Sequence, residues 1–133
     1  MKYSLLLLLV CTLACPVGPS VRHFEPAGSA HGVEADLRLG KHWTRVQGEL
    51  LEVRDSTLVL LRNSEKVTVV PIRLIRSARF AKVDIQMESN RLSQERRDQL
   101  RLFSRFPGGL TPELEARVLA LHGQTEPDRV VVP

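Results

Sequence analysis

The sequence predicts an α+β chain that is mainly β: a small five-stranded barrel followed by a C-terminal helical hairpin, with an export signal and a flexible tether ahead of both. Three observations carry this expectation. Hydropathy takes up a period of two at Val33 and keeps it through short segments separated by turn residues. Gly48 stands inside one of those segments, where a missing Cβ permits the sharp bend that a small barrel requires. Beyond Arg91 the period lengthens to that of a helix, and Pro107-Gly108-Gly109 cuts the helical stretch in two.

A length of 133 residues suits one domain with an appendage. With 43% hydrophobic and 26% charged residues, the composition excludes a fully disordered chain and a polytopic membrane protein. One Trp, one Tyr and four Phe leave the core to Leu and Val. The expected organisation is a signal peptide over 1–14, a tether over 15–32, a barrel over 33–86, a helical hairpin over 91–123 and a tail over 124–133.

Met1-Lys2-Tyr3-Ser4 forms a minimal positive n-region, and Leu5 to Val10 is an unbroken apolar run extended through Cys11, Thr12 and Leu13. A helix needs about 20 apolar residues to span a bilayer, so this run matches a secretory h-region instead. Small residues at Thr12 and Ala14 suit ordinary cleavage before Cys15, which would leave a soluble periplasmic or secreted chain. The same Thr12-Leu13-Ala14-Cys15 resembles a bacterial lipobox, although Leu stands one position later than in the usual pattern. That resemblance implies a diacylglycerol thioether on Cys15. Cleavage would remove Cys11 and leave Cys15 without an intramolecular partner, which lipidation explains. The chain from Cys15 to Gly32 carries three Pro and three Gly and no hydrophobic period, so it reads as a flexible tether. Fully extended, such a segment reaches about 60 Å.

Val33, Ala35, Leu37 and Leu39 alternate with charged residues as a half-buried first strand, and Gly40-Lys41-His42 turns the chain. The second strand runs from Thr44 to Arg54 with Gly48 in its interior, followed by the turn Asp55-Ser56-Thr57. Leu58 to Leu61 is a third strand, too apolar to face water on either side; Asn63-Ser64 turns again, and Val67 to Val70 is the fourth. Pro71 ends it, because proline cannot donate to a ladder. Pro71 to Leu74 is expected as one tight helical turn, and Ile75 to Phe80, extending toward Ile85, as strand five.

Val46-Gln47-Gly48-Glu49-Leu50-Leu51-Glu52-Val53 with Asp55-Ser56-Thr57-Leu58-Val59-Leu60 resembles the first motif of Sm-like small barrels, a superfold close to SH3-like barrels. Val69-Val70-Pro71-Ile72-Arg73-Leu74-Ile75 is similar to the closure between their fourth and fifth strands. The resemblance covers residues 34–82 and implies a fold. Sm-like proteins commonly form rings and bind RNA, but bacterial members carry a Tyr-Lys-His-type motif at the closure, where this chain has Val70-Pro71-Ile72-Arg73. Nucleic acid is therefore not the expected partner.

In the tail, Leu92, Arg96, Leu100 and Phe103 share one helical face, joined by Leu102 and Phe106. Ser93 is the expected N-cap, with Glu95 in the first turn. Thr111-Pro112 opens a second helix carrying Leu114, Val118 and Leu121, and Gly123 stops it. The joint apolar stripe, Leu100, Phe103, Phe106, Leu114, Val118 and Leu121, is expected to pack on the barrel.

No catalytic site, metal site or cofactor is expected. His23 and His31 fall in the tether, His42 in a turn and His122 near a helix end; no Cys-x-x-Cys, His-Glu-x-x-His or P-loop pattern occurs. The formal charge is +4, from 19 basic and 15 acidic residues. Arg73, Arg76 and Arg79 are the residues expected to contact an anion or a partner's acidic patch; in a helix they would form one ridge, while across a turn and a strand their faces diverge. Their plainer role would be to shield the edge of strand five. The function expected is a non-catalytic envelope lipoprotein, facing the periplasm or cell exterior, that binds an unknown protein or associates with itself. The alternative is a basic module for a polyanion, either an anionic glycolipid or nucleic acid. Replacing Cys15 by Ser should move the chain from the membrane fraction to the soluble one; a variant that stays membrane-bound with unchanged mass rejects lipidation.

Overall fold

The computed structural model describes residues 31–88 and 90–132. Cys15 and the segments read as signal and tether up to residue 30 lie outside the described residues. Among the described residues seven strands form one sheet: β1 Glu34–Leu39, β2 Thr44–Val53, β3 Thr57–Arg62, β4 Lys66–Pro71, β5 Ile75–Phe80, β6 Val83–Glu88 and β7 Asp128–Arg129. Two helices, α1 Gln94–Leu102 and α2 Pro112–Leu121, lie between β6 and β7. The α+β, mainly β class is as the sequence predicts.

The order across the sheet is β6-β5-β1-β2-β3-β4-β7, antiparallel except for the β4–β7 pair. Strands β4 and β5 are therefore four spacings apart, about 19 Å in a flat sheet at about 4.8 Å per strand. They are joined by a 3-10 turn, Ile72–Leu74, that advances only about 6 Å. The sheet must roll until the two ends meet. The crossover is held from both sides by continuations of existing ladders: Gly40 N–H donates to the Leu74 carbonyl beyond the β1–β5 pairs, and Ile72 N–H to that of Ser56 beyond the β3–β4 pairs, each at 2.9 Å.

The roll is not closed by hydrogen bonds, and its strands number seven. Strand β4 pairs with β7, and β5 with β6. Sequence reading carries β5 toward Ile85 as one strand; instead the chain reverses at Ala81-Lys82 and returns as β6, with Phe80 opposite Val83. Lys82 takes a left-handed φ of 62° there, a conformation a lysine does not advertise.

Rolling divides the apolar residues between two clusters. The inner one draws on six strands, including Leu37, Leu50, Leu60, Val70, Ile75 and Met87. Its end is plugged by Leu92 and Leu100 of the α1 region. The outer one holds Leu51, Val59, Leu61 and Val67 beneath Val118 and Leu119 of α2. Strand β3 is apolar on both sides because it feeds both clusters, Leu58 and Leu60 inward, Val59 and Leu61 outward. Strand β2 also feeds both, Leu50 inward and Leu51 outward by alternation, and a bulge between Leu50 and Glu52 then returns Val53 to the inner face. Gly48 lies against β3 with no space for a side chain: a Cβ there would sit 2.5 Å from the Leu61 carbonyl oxygen.

Ser93 and Thr111 cap the helices as expected, accepting from Arg96 N–H at 3.3 Å and Leu114 N–H at 3.2 Å. The helices do not share one apolar stripe, however. The α1 region serves the inner cluster and α2 the outer one. Between them the chain follows β2 beyond the start of β1, with Arg105 N–H on the Leu50 carbonyl (3.0 Å) and Phe106 N–H on that of Leu51 (2.9 Å). Gly32 fits under this segment only because it lacks a Cβ, which would collide with the Leu50 carbonyl. Phe103, at the C-cap of α1, is 44% exposed and Leu121 is 81% exposed, so neither belongs to the core assigned to them from spacing.

Leu100 is fully buried. Leu100→Ala should destabilise by about 2–5 kcal/mol, whereas Phe103→Ala should cost under about 1 kcal/mol. Thermal melts of the two variants check this, and equal losses would reject the placement of α1.

Candidate functional site

A cleft of about 700 Å³ opens at the end of the roll that α1 plugs. Three segments build it. The β2–β3 turn contributes Asp55, Ser56 and Thr57; the β4–β5 crossover contributes Pro71, Ile72 and Arg73; the approach to α1 contributes residues 90–93 with Arg97. The short crossover brings the first two together, and Asn90 fastens the third. Its N–H donates to the Ile75 carbonyl at 3.1 Å while its φ of 56° turns the chain into the helix, a conformation asparagine tolerates.

The floor is apolar, with Ile72 and Leu92 both buried. The rim is cationic. Arg73 and Arg91 are exposed and make no hydrogen bond or ion pair among the described residues. Arg97 is half-buried and spends its Nη atoms on the helix start, on Gln94 Oε1 at 2.7 Å and the Leu92 carbonyl at 3.3 Å. Its Nε is buried with no partner among the described residues, and so is Asn90 Oδ1. Buried polar atoms are nearly always hydrogen-bonded, and one left unmet costs about 1–3 kcal/mol. The acid at the rim, Asp55, is engaged by Arg101 Nη2 at 3.1 Å, so it leaves the arginines uncompensated.

Of the three arginines singled out by spacing, Arg73 alone enters this cleft. Arg76 is the extra residue of a bulge, since Ile75 faces Leu39 and Ser77 faces Arg38. Arg79 stands opposite Asp36 on β1. The edge-shielding role does not apply, because β5 is an interior strand between β1 and β6. Arg97 shares with Arg96, Arg101 and Arg105 the ambiguity between anion contact and solvated helix face, whereas Arg91 and Asn90 are not legible as site residues; the signal available is the Ser93 cap, which places them at the start of α1.

Around Asp36 the surface is differently balanced. Arg45 donates from Nε to Oδ1 at 3.0 Å and from Nη2 to Oδ2 at 2.8 Å. Those bonds hold the Asp36 carboxyl below its usual 3.8; burial opposes them, and the charges of Arg45, Arg38 and Arg79 add to the lowering. A buried carboxylate, Glu52, organises the outer face in turn. It accepts from Leu110 N–H at 3.0 Å and from Arg54 Nε at 2.7 Å, and Arg54 reaches on to Glu115 of α2 at 2.9 Å. Burial pulls the Arg54 pKa down, but the hydrogen bonds and charges of Glu52 and Glu115 outweigh it and raise the value, so Arg54 stays cationic. This triad fastens α2 to β2 and reads as structural.

Among the described residues no three His, Cys, Asp or Glu side chains are placed to hold a metal ion, and no helix is long and apolar enough to cross a membrane. Comparison with protein-family models, curated proteins and solved structures found no match to this chain.

Because its folded-state pKa is depressed, Asp36 contributes stability that is present above the unfolded value near 3.9 and is lost as pH falls through the lower folded value. An NMR carboxyl titration should place the Asp36 midpoint below 3.8, and Arg45→Gln should move it upward. Identical midpoints in both proteins would mean that the pair is absent in solution.

Proposed function

We propose that this chain is a non-catalytic binding module of the bacterial cell envelope, held at a membrane by a lipid on Cys15, whose recognition surface is the arginine-rimmed cleft. One observation carries the binding assignment: Arg73 and Arg91 stand unpaired over a buried apolar floor, beside two buried polar atoms without partners. Structural arginines in the same molecule look different. Arg45, Arg54 and Arg101 each hold a carboxylate at 2.7–3.1 Å. A small concave site with an apolar base and a few convergent charges is the common form of a ligand site.

The roll of β5-β1-β2-β3-β4 around one core supports a small Sm-like or SH3-like barrel as the scaffold. The lipid anchor rests on the sequence alone. A protein partner or a second copy is the occupant this reading favours. A polyanion competes with it and would show a steep loss of binding with salt, one step for each phosphate neutralised.

A photo-crosslinking side chain placed at Arg73 in membrane-bound full-length protein should give discrete adducts at moderate salt. The same group at Glu113, exposed on α2, should give none. Adducts of the same pattern from both positions, or from neither, would remove the cleft as the recognition surface.

A further inference from the structure

Resting on the reading of the cleft as a recognition surface, we infer that its ligand is the free carboxylate terminus of a peptide chain ending in an apolar residue. The cleft makes three separable demands. Arg73 and Arg91 carry charge that nothing among the described residues neutralises, so the ligand is anionic. Arg97 spends one N–H of each Nη atom on the helix start and keeps its Nε–H buried and unmet, a donor that a ligand reaches once the side chain shifts. Asn90 Oδ1 is a buried, unmet acceptor, and a ligand that donates a hydrogen bond close to its anionic group would meet it.

A chain terminus offers that combination: two carboxylate oxygens and, on the same residue, a backbone N–H. Its last side chain would lie on the floor made by Pro71, Ile72 and Leu92. Capture of a terminal carboxylate is an established mode of peptide recognition. A volume of about 700 Å³ takes a few residues and not a folded surface. A phosphodiester supplies acceptors and no donor, which leaves Asn90 Oδ1 unmet. Free phosphate would satisfy the arginines but not the apolar floor.

Fluorescence anisotropy on the full chain tests this, with short labelled peptides ending in Leu, Val or Phe as probes, each made as free acid and as amide. The free acids should bind, and amidation should weaken binding at least about tenfold, as expected for losing a charge-assisted contact. Arg97→Ala loosens the start of α1 as well as the cleft, so Arg91→Ala, at an exposed and unpaired position, is the decisive variant; it should weaken the acid and leave the amide unchanged. Equal affinity for acid and amide overturns the inference, and so does displacement of the peptide by inorganic phosphate at low millimolar concentration. If no peptide binds while adducts from position 73 persist, the carboxylate inference falls and the cleft remains a recognition surface. If both are absent, both fall.

Discussion

Three residues, Ile72–Leu74, join strands that a flat sheet would hold about 19 Å apart, and the rest of the structure follows from that short connection. A 3-10 turn cannot reach so far, so the sheet rolls, and rolling gives it an inside and an outside. The inside takes Leu37, Leu39, Leu50, Leu60 and Ile75, all fully buried. The ends of the roll must then be covered. The α1 region covers one with Leu92 and Leu100, while Val130 and Val132 of the C-terminal segment pack against the same core. That segment also occupies the open edge of β4, first through Gln124, whose side-chain amide bonds both backbone groups of Val67 at 2.7 and 3.1 Å, and then through β7. An exposed β4 edge would otherwise be a template for pairing with other chains.

The β2 bulge is the second organising element, because it sets Leu51 and Glu52 together on the outer face. Before it, Val46 and Leu50 point inward; after it, Val53 does so again, and Leu51 and Glu52 are turned to α2. The outer cluster is thereby given an apolar anchor and a buried carboxylate side by side. Glu52 would be costly to bury alone. Its bonds from Arg54 and Leu110 N–H offset that cost and, through Arg54 and Glu115, fix where α2 lies.

Much of this was legible from spacing. Alternation placed β1 to β4, Pro71 ended β4, and the caps at Ser93 and Thr111 located both helices, because each depends on local backbone chemistry alone. The failures share a cause, which is long-range context. Strand β6 was missed because its turn uses Lys82 in place of glycine or asparagine. Helical period predicts a core place for Phe103 and Leu121, but a period says which residues share a face and not whether anything covers that face. Pro-Gly-Gly in the connection predicts a helical hairpin. The connection in fact runs along β2, and it delivers α2 to the opposite side of the sheet from α1. For the cleft, Arg73 could be picked out as a cation after a tight turn, whereas Arg91 and Arg97 joined it only through the roll.

The same constraint accounts for the position of the cleft. A rolled sheet whose strands β4 and β5 are joined by a tight crossover has no room at that crossover for a helix to lie flush. The approach to α1 therefore bridges from β5, through the Asn90–Ile75 hydrogen bond, leaving a gap between helix start and crossover. A gap formed only by packing would fill with apolar side chains or collapse, as close-packed interiors do. This one is edged by arginines on both sides and keeps Arg97 Nε and Asn90 Oδ1 buried and unmet. Neither atom is needed where it stands for the cap of α1, which Ser93 supplies, or for the turn at residue 90, which the backbone supplies. Polar atoms held at a cost that the fold does not require are better explained by a ligand that meets them.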